Sequence, residues 1–183
     1  MGVIRVHEFT TLDGVIDAPT WSFEFPFDPK MGEAIAEIMG GCQAILLGRN
    51  TFEMFAPAWS KRTATEDPGA PFMNDTRKFV VATGSPSVEW NNSSIIGPYD
   101  PSAIRRLKEQ VDGSIYVSGS GTLVRALLSD GLVDDLHLFV YPVAIGHGPR
   151  LFADGGPSTK LELMTCHAYT NGVVHLGYRP TAG

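Results

Sequence analysis

The stretch that decides the fold is Ser114-Ile115-Tyr116-Val117-Ser118-Gly119-Ser120-Gly121-Thr122, in which a β-strand pattern runs directly into a glycine-rich turn. A helical pattern follows from Leu123 to Leu128 and ends at Gly131. Glycines let a backbone approach a phosphate closely, and the free N–H groups of a helix start attract an anion. The same pattern also fits an ordinary tight turn between a strand and a helix. Its spacing differs from that of a Rossmann fingerprint and of a P-loop.

Two further strands are predicted to end in residues that suit phosphate. The apolar strand 44–47 leads into Gly48-Arg49-Asn50-Thr51, where Arg49 can bind a phosphate and Thr51 can donate its hydroxyl. An N-cap threonine beside a surface arginine is the alternative interpretation. The strand 78–82 leads into Thr83-Gly84-Ser85. Because ligands bind at the carboxyl ends of parallel strands, the three ends together predict a nucleotide with several phosphates.

The rest of the chain predicts an α/β fold in one domain over residues 1–183. Strands are expected at 3–9 and 136–141, and helices at 31–39, 49–55 and 104–111, while 21–27 and 57–75 are expected to be loops. The dipeptide Asn171-Gly172 predicts a hairpin. The expected sheet is mixed and mostly parallel, flanked by helices, with an antiparallel C-terminal hairpin.

Composition excludes several functional classes. The chain has 183 residues, with 14 Lys and Arg against 20 Asp and Glu, giving a net charge of −6. An acidic chain lacks the basic face that nucleic acid or an anionic membrane surface requires. The N-terminus carries no signal-peptide pattern, so we expect a cytoplasmic protein. The five histidines have no metal-binding spacing, so no metal is expected.

Five motifs, in this order, resemble the dihydrofolate-reductase-like family that includes the C-terminal reductase domain of the bifunctional riboflavin-biosynthesis deaminase/reductase. They are Thr11-Leu12-Asp13-Gly14, Leu47-Gly48-Arg49-Asn50-Thr51-Phe52-Glu53, Gly119-Ser120-Gly121-Thr122-Leu123, Gly131-Leu132-Val133-Asp134-Asp135 and Pro142-Val143-Ala144-Ile145-Gly146-His147-Gly148. The resemblance runs from about residue 3 to residue 178. No zinc-deaminase motif is present in the sequence.

The resemblance implies NADPH as the hydride donor, a small-molecule substrate and a homodimer. Cofactor phosphates are then expected at Gly48, Arg49 and Thr51, and the 2′-phosphate end of the adenosine near Thr83 and Ser85. The pyrophosphate is expected at Gly119, Ser120, Gly121, Thr122 and Leu123. Asp13 and Gly14 are expected on the loop beside the nicotinamide and the substrate.

The substrate side departs from the family pattern. Ser118 stands where the riboflavin reductases have a substrate-contacting glutamate, and Glu33 lies near the position of the dihydrofolate reductase carboxylate. Trp21, with Phe23, Phe25 and Phe27, is a candidate wall for a flat heterocycle, and the same alternation also fits a loop that packs on the core. Asp13 is the first candidate for handling a proton or anchoring substrate, although Asp-Gly also forms turns.

These residues predict an NADPH-dependent reductase of a small heterocyclic or carbonyl/imine compound, similar to 5-amino-6-(5-phosphoribosylamino)uracil reductase or dihydrofolate reductase. The alternative is a non-catalytic NADPH-binding module.

Overall fold

A computed structural model describes residues 2–16, 19–152, 156 and 158–181. Its strands are β1 (Val3–Thr11), β2 (Cys42–Gly48), β3 (Arg77–Val81), β4 (Ser93–Gly97), β5 (Ser114–Ser118), β6 (Asp135–Tyr141), β7 (Leu161–Ala168) and β8 (Val174–Pro180). Its α-helices are α1 (Pro29–Met39), α2 (Arg49–Trp59), α3 (Ala70–Asp75), α4 (Pro101–Gln110) and α5 (Gly121–Ser129). A short 3-10 helix covers Thr20–Glu24.

All eight strands form one sheet in the order β4-β3-β2-β5-β1-β6-β8-β7. The six strands from β4 to β6 are parallel neighbours, while β8 pairs antiparallel with both β6 and β7. This architecture confirms the predicted mixed, mostly parallel sheet with an antiparallel C-terminal hairpin. Because the parallel strands run in one direction, their carboxyl ends lie along the same edge of the sheet.

Helices cover both faces of the sheet, and strand alternation decides which core each side chain enters. On β1, Ile4 and Val6 are buried on the face covered by α4 and α5. Phe9 and its neighbours on the adjacent strands pack with α1, α2 and α3 on the other face. Both cores are apolar, so a polar side chain on either face is a candidate for function.

Four local features differ from the sequence predictions. The segment 20–24 forms a 3-10 helix, α2 continues through Pro57 to Trp59, and α3 lies inside the predicted loop. Pro57 sits in the last turn of α2, where it removes a single helical hydrogen bond, and burial of Phe52 and Ala56 holds that helix on the sheet. Strand β4 was not predicted, because its short Ser-Ser-Ile-Ile-Gly pattern has no clear alternation.

No helix among the described residues is both long enough and apolar enough to cross a membrane. The same described ranges contain no group of three or more His, Cys, Asp or Glu side chains arranged to hold a metal ion.

Candidate functional site

The ends of β2 and β5 form one compact junction, because these two strands are neighbours in the sheet. Thr51 Oγ1 and Ser120 Oγ are 2.7 Å apart and share a hydrogen bond. A Cβ atom added to Gly48 would overlap Ser120 Oγ, and one added to Gly119 would lie 3.1 Å from Thr51 Cγ2. The structure thus brings the two predicted phosphate loops together, and two glycines are required for that approach.

The turn before α5 presents backbone N–H groups at this junction. Gly119 and Ser120 both have left-handed backbone angles, with φ of 74° and 59°, and α5 begins at Gly121. The N–H groups of a first helical turn have no partner within the helix. The Ser120 side chain bonds to Thr51 instead of capping the helix, so those N–H groups are left for a ligand. The Leu123 side chain is buried in the core, so only the backbone N–H of this residue is available to a ligand.

Glu53 connects the loop after β3 to the start of α2. Its Oε1 accepts hydrogen bonds from the Ser87 N–H at 2.7 Å, from the Ser87 hydroxyl at 3.0 Å and from Arg49 Nε at 3.2 Å. These donors, led by the Ser87 amide, hold the pKa of Glu53 below its usual value. Thr83 and Ser85 are exposed on the same loop. The sequence analysis assigned no role to Glu53. Its position four residues after Arg49 was the available signal, because oppositely charged residues at this spacing pair on a helix.

Asp13 anchors the loop after β6. Its carboxylate accepts hydrogen bonds from Thr11 Oγ1 at 2.5 Å, from Gly146 N at 2.8 Å and from Ile145 N at 3.3 Å. The Thr11 hydroxyl, followed by the Gly146 amide, lowers the pKa of Asp13. An ionised carboxylate engaged in this way favours a positioning role over proton donation. Gly14 follows with φ of 83°, as the turn requires.

A buried acid that sequence reasoning missed lies on β1 next to the glycine-rich turn. Glu8 is 5% exposed, and its Oε1 has no hydrogen-bond partner among the described residues. Desolvation raises the pKa of Glu8 to about 8, against the opposing effects of the Gly119 amide and the Arg125 charge. Glu8 is therefore protonated at neutral pH. An acid in the middle of a strand pattern gave no sign that it would be buried.

The predicted substrate residues lie in two different places. Ser118 ends β5 on the face covered by α1, and Trp21 packs edge-to-face on Tyr141 with ring centroids 5.1 Å apart. The Trp21 Nε1–H group is buried and has no acceptor among the described residues. Glu33 instead lines an open groove of about 530 Å³ between α1 and the strands β1, β6, β7 and β8.

The parallel sheet with its paired glycine loops defines an α/β protein with a reductase-like fold. The chain belongs to the RibD C-terminal domain family, whose model matches residues 3–175.

Individual proteins agree with this assignment. The chain is 25% identical over 174 residues to the uncharacterized protein YyaP of Bacillus subtilis strain 168, covering 92% of this chain and 89% of YyaP. A protein assigned to riboflavin biosynthesis from Shewanella sp. PV-4 superposes with a TM-score of 0.79 and 18% identity over the whole of both chains. A dihydrofolate reductase from Enterococcus faecalis, complexed with NADP(H), has a TM-score of 0.66 and 14% identity, covering 99% and 98%. At these identities the two structures show the shared fold.

Proposed function

We propose that this protein is an NADPH-dependent reductase that transfers a hydride to a small heterocyclic or carbonyl/imine compound. The observation that carries the proposal is the junction of β2 and β5, where Gly48 and Gly119 allow a close approach and Thr51 shares a hydrogen bond with Ser120. The half-buried turn at residues 119–121 offers only backbone and hydroxyl groups there. Such a surface is complementary to phosphate oxygens. Family membership and the dihydrofolate reductase complexed with NADP(H) support the same assignment.

The residues of the strand ends suit the successive parts of such a cofactor. The first-turn N–H groups of residues 121–123 would hold the pyrophosphate, and Arg49 would add a positive charge that Glu53 orients. Thr83 and Ser85 would meet the 2′-phosphate that distinguishes NADPH from NADH. When bound, the nicotinamide supplies the hydride, and the protein contributes mainly proximity and orientation.

Titration of the purified protein with NADPH and, separately, with NADH tests the proposal, with tryptophan fluorescence as the signal. We expect NADPH to bind at least about tenfold more tightly than NADH, which corresponds to ~1.4 kcal/mol. Gly121→Trp should weaken this binding strongly, because a Cβ atom at Gly121 would overlap Ile16 Cδ1 and displace the turn that presents the N–H groups. Gly40→Trp, at the exposed end of α1, is the matched control, because it adds the same fluorophore away from the junction. A folded Gly121→Trp variant with unchanged affinity would contradict this location of the cofactor.

A non-catalytic NADPH-binding module is the second candidate. The observation that favours it is Asp13, the leading candidate for proton handling, whose carboxylate is already engaged by Thr11, Ile145 and Gly146. Incubation with NADPH and 7,8-dihydropterin, an aminouracil or 2,3-butanedione separates the two candidates. A reductase oxidises NADPH with one of these acceptors, which is followed as a fall in absorbance at 340 nm. A binding module binds NADPH but does not oxidise it.

We also propose that the protein is a cytoplasmic homodimer that forms through the β7 edge of the sheet. Residues 162–168 are all exposed, including Leu163 and Met164 at 53% and 51%. An exposed apolar edge strand is normally covered, because its free N–H and C=O groups favour pairing with another strand. A second copy of the chain, paired edge to edge, would cover it.

A further inference from the structure

We propose that Glu8 links the anion site at the start of α5 to one proton: the site holds phosphate groups while the Glu8 carboxyl is neutral, and it binds them weakly once that carboxyl ionises. The inference rests on the proposed function, which puts the NADPH pyrophosphate at this turn. Glu8 then sets the strength of cofactor binding from beneath the site, without touching the cofactor.

Strand register puts Glu8 beside the glycine-rich turn. In the parallel pairing of β1 with β5, His7 lies opposite Ser118, the last residue of β5. Glu8 and Gly119 are the residues that follow this pair, so Glu8 lies next to the first residue of the turn. On its other side, Glu8 is paired in register with Leu138 of β6. Glu8 is therefore inside the sheet, at the level where β5 ends and the turn to α5 begins.

The side chain of Glu8 points to the face of the sheet that α5 covers. Alternate residues of a strand face the same side, and Val6, two residues earlier, is buried in the core beneath α4 and α5. Leu123, in the first turn of α5, belongs to the same core. His7 points to the opposite face, where its Nδ1 lies 2.7 Å from the Tyr116 hydroxyl. The Glu8 carboxyl thus lies beneath the helix end whose N–H groups are left for a ligand.

The burial of Glu8 favours the neutral acid. The residue is 5% exposed, and its Oε1 has no hydrogen-bond partner among the described residues. Arg125 of α5 donates instead to the Arg150 carbonyl at 2.9 Å and to Thr122 Oγ1 at 3.3 Å. A buried carboxylate without a paired cation is costly, so the group keeps its proton at neutral pH. In agreement, desolvation raises the pKa of Glu8 to about 8, against the opposing effects of the Gly119 amide and the Arg125 charge.

An ionised Glu8 competes with the cofactor for one positive potential. The free N–H groups and the dipole of a helix start stabilise a negative charge, whether it belongs to the protein or to a ligand. While Glu8 is neutral, this potential is available to the pyrophosphate. Once Glu8 ionises, its carboxylate takes up part of the potential and repels the phosphate oxygens, because buried charges are little screened. By reciprocity, a bound pyrophosphate makes Glu8 hold its proton more tightly.

The groups around Glu8 keep their charge between pH 7 and pH 9. They are Arg125 of α5, Arg150 and Asp13 of the adjoining loops, and His7 and Tyr116 of β1 and β5. The arginines stay protonated, the Thr11 hydroxyl lowers the pKa of the aspartate, and burial keeps the imidazole and the phenol neutral. Desolvation lowers the pKa of Lys78 to about 8, but this residue lies on β3, which β2 separates from β5.

The pH dependence of NADPH binding tests the link. We expect the Kd of the wild type to rise about fivefold or more from pH 7 to pH 9, because the free protein loses the Glu8 proton and the complex keeps it. Glu8→Gln retains the shape but cannot ionise, so its Kd should stay constant over this range. Glu109→Gln, at an exposed position of α4, is the matched control and should follow the wild type. Lys78 is present in all three proteins, and the 2′-phosphate loses its last proton near pH ~6.

Proton uptake is a second measurement, and it needs no variant. Calorimetric titration of the wild type with NADPH, in buffers of different ionisation enthalpy, counts the protons bound with the cofactor. We expect between about half a proton and one proton at pH 8.5, and about a tenth of a proton at pH 7.

Three results would overturn the link: a wild-type Kd that is constant from pH 7 to pH 9, no proton uptake at pH 8.5, or a folded Glu8→Gln variant with the wild-type pH dependence. Failure of the wild type to bind NADPH at any pH would instead remove the proposed function, and the link with it.

Discussion

At the scale of single residues, the contact between Gly48 and Ser120 decides whether the phosphate loops can meet. A Cβ atom at Gly48 would overlap Ser120 Oγ and crowd its Cβ at 2.7 Å, so Gly48→Ala should displace Ser120 and break its bond to Thr51. We expect the variant to bind NADPH about tenfold more weakly or worse. Adding Ser120→Gly removes the crowded atoms and suits the left-handed backbone at that position. Fluorescence titration of both single variants and the double variant measures the coupling, and an additive result would contradict this account.

Glu8 makes the stability of the protein depend on pH. Its pKa is raised to about 8 in the folded state, mainly by desolvation, so the folded protein keeps a proton that the unfolded chain has lost. Stability is therefore highest below the unfolded pKa and falls as pH rises through 8. His7 and His175, whose pKa values burial lowers, act in the opposite direction only below about pH 6.5.

Urea unfolding between pH 6.5 and 7.5 isolates the effect of Glu8, because the histidines titrate below this window and Lys78, whose pKa desolvation lowers to about 8, titrates above it. We expect the free energy of unfolding of the wild type to fall by up to ~1.4 kcal/mol per pH unit in this window. Glu8→Gln should remove that slope and be the more stable protein at pH 8, because it cannot ionise. Glu24→Gln, an exposed position, should keep the wild-type slope. A wild-type curve that is flat across the window would show that Glu8 is ionised in the fold.

At the scale of elements, Asp28 fixes α1 over the sheet. Its Oδ1 accepts from the Lys30 N–H at 2.9 Å and caps α1, while its Oδ2 accepts from the Thr170 N–H and hydroxyl at 2.9 and 2.6 Å. These bonds join the helix to the turn between β7 and β8, and the Thr170 hydroxyl is the main cause of the lowered pKa of Asp28. Asp100 caps α4 through Ser102 N at 2.9 Å but makes no comparable bond to another element of the described chain.

Thermal unfolding can compare the two N-terminal caps, Asp28 of α1 and Asp100 of α4. Asp28→Ala should lower Tm by several degrees, about twice as far as Asp100→Ala, because it also leaves the Thr170 donors unpaired. Because the pKa of Asp28 is depressed in the fold, its contribution to stability is present above the unfolded pKa near 4. That contribution should disappear as pH falls through the folded value. Equal changes in Tm for the two variants would show that the bonds to Thr170 do not hold α1.

The sequence predicted elements where local signals are strong, and missed features that depend on tertiary contacts. Strand β5 was predicted at its observed bounds, and the hairpin was recognised from Asn171-Gly172, because both are set by local backbone chemistry. Strand direction alone predicted that the phosphate loops lie at one edge of the sheet, whereas the contact between two of them requires β2 and β5 to be neighbours. The burial of Glu8 and the pairing of His7 with Tyr116 depend on which strands become neighbours, and no local pattern encodes that order.

At the scale of the whole molecule, the two edges of the sheet differ, and the difference makes the proposed dimer testable. Edge strand β7 is exposed on both faces along residues 162–168, whereas β4 at the other edge is only partly exposed and carries a single largely exposed apolar residue, Ile95. Met164→Lys places a charge in the middle of β7, and Ile95→Lys places one on β4 as the matched control. A charged residue on an edge strand opposes pairing with a second sheet.

Sedimentation velocity at micromolar concentration should then give dimers for the wild type and for Ile95→Lys, and monomers for Met164→Lys. NADPH affinity should not change in any of the three proteins, because the β2–β5 junction lies in the interior of the sheet, several strands from β7. A monomeric wild type would contradict the dimer. Dissociation by Ile95→Lys alone would move the interface to the β4 edge, beside the loop that carries Thr83 and Ser85, and would tie dimerisation to the adenosine end of the cofactor site.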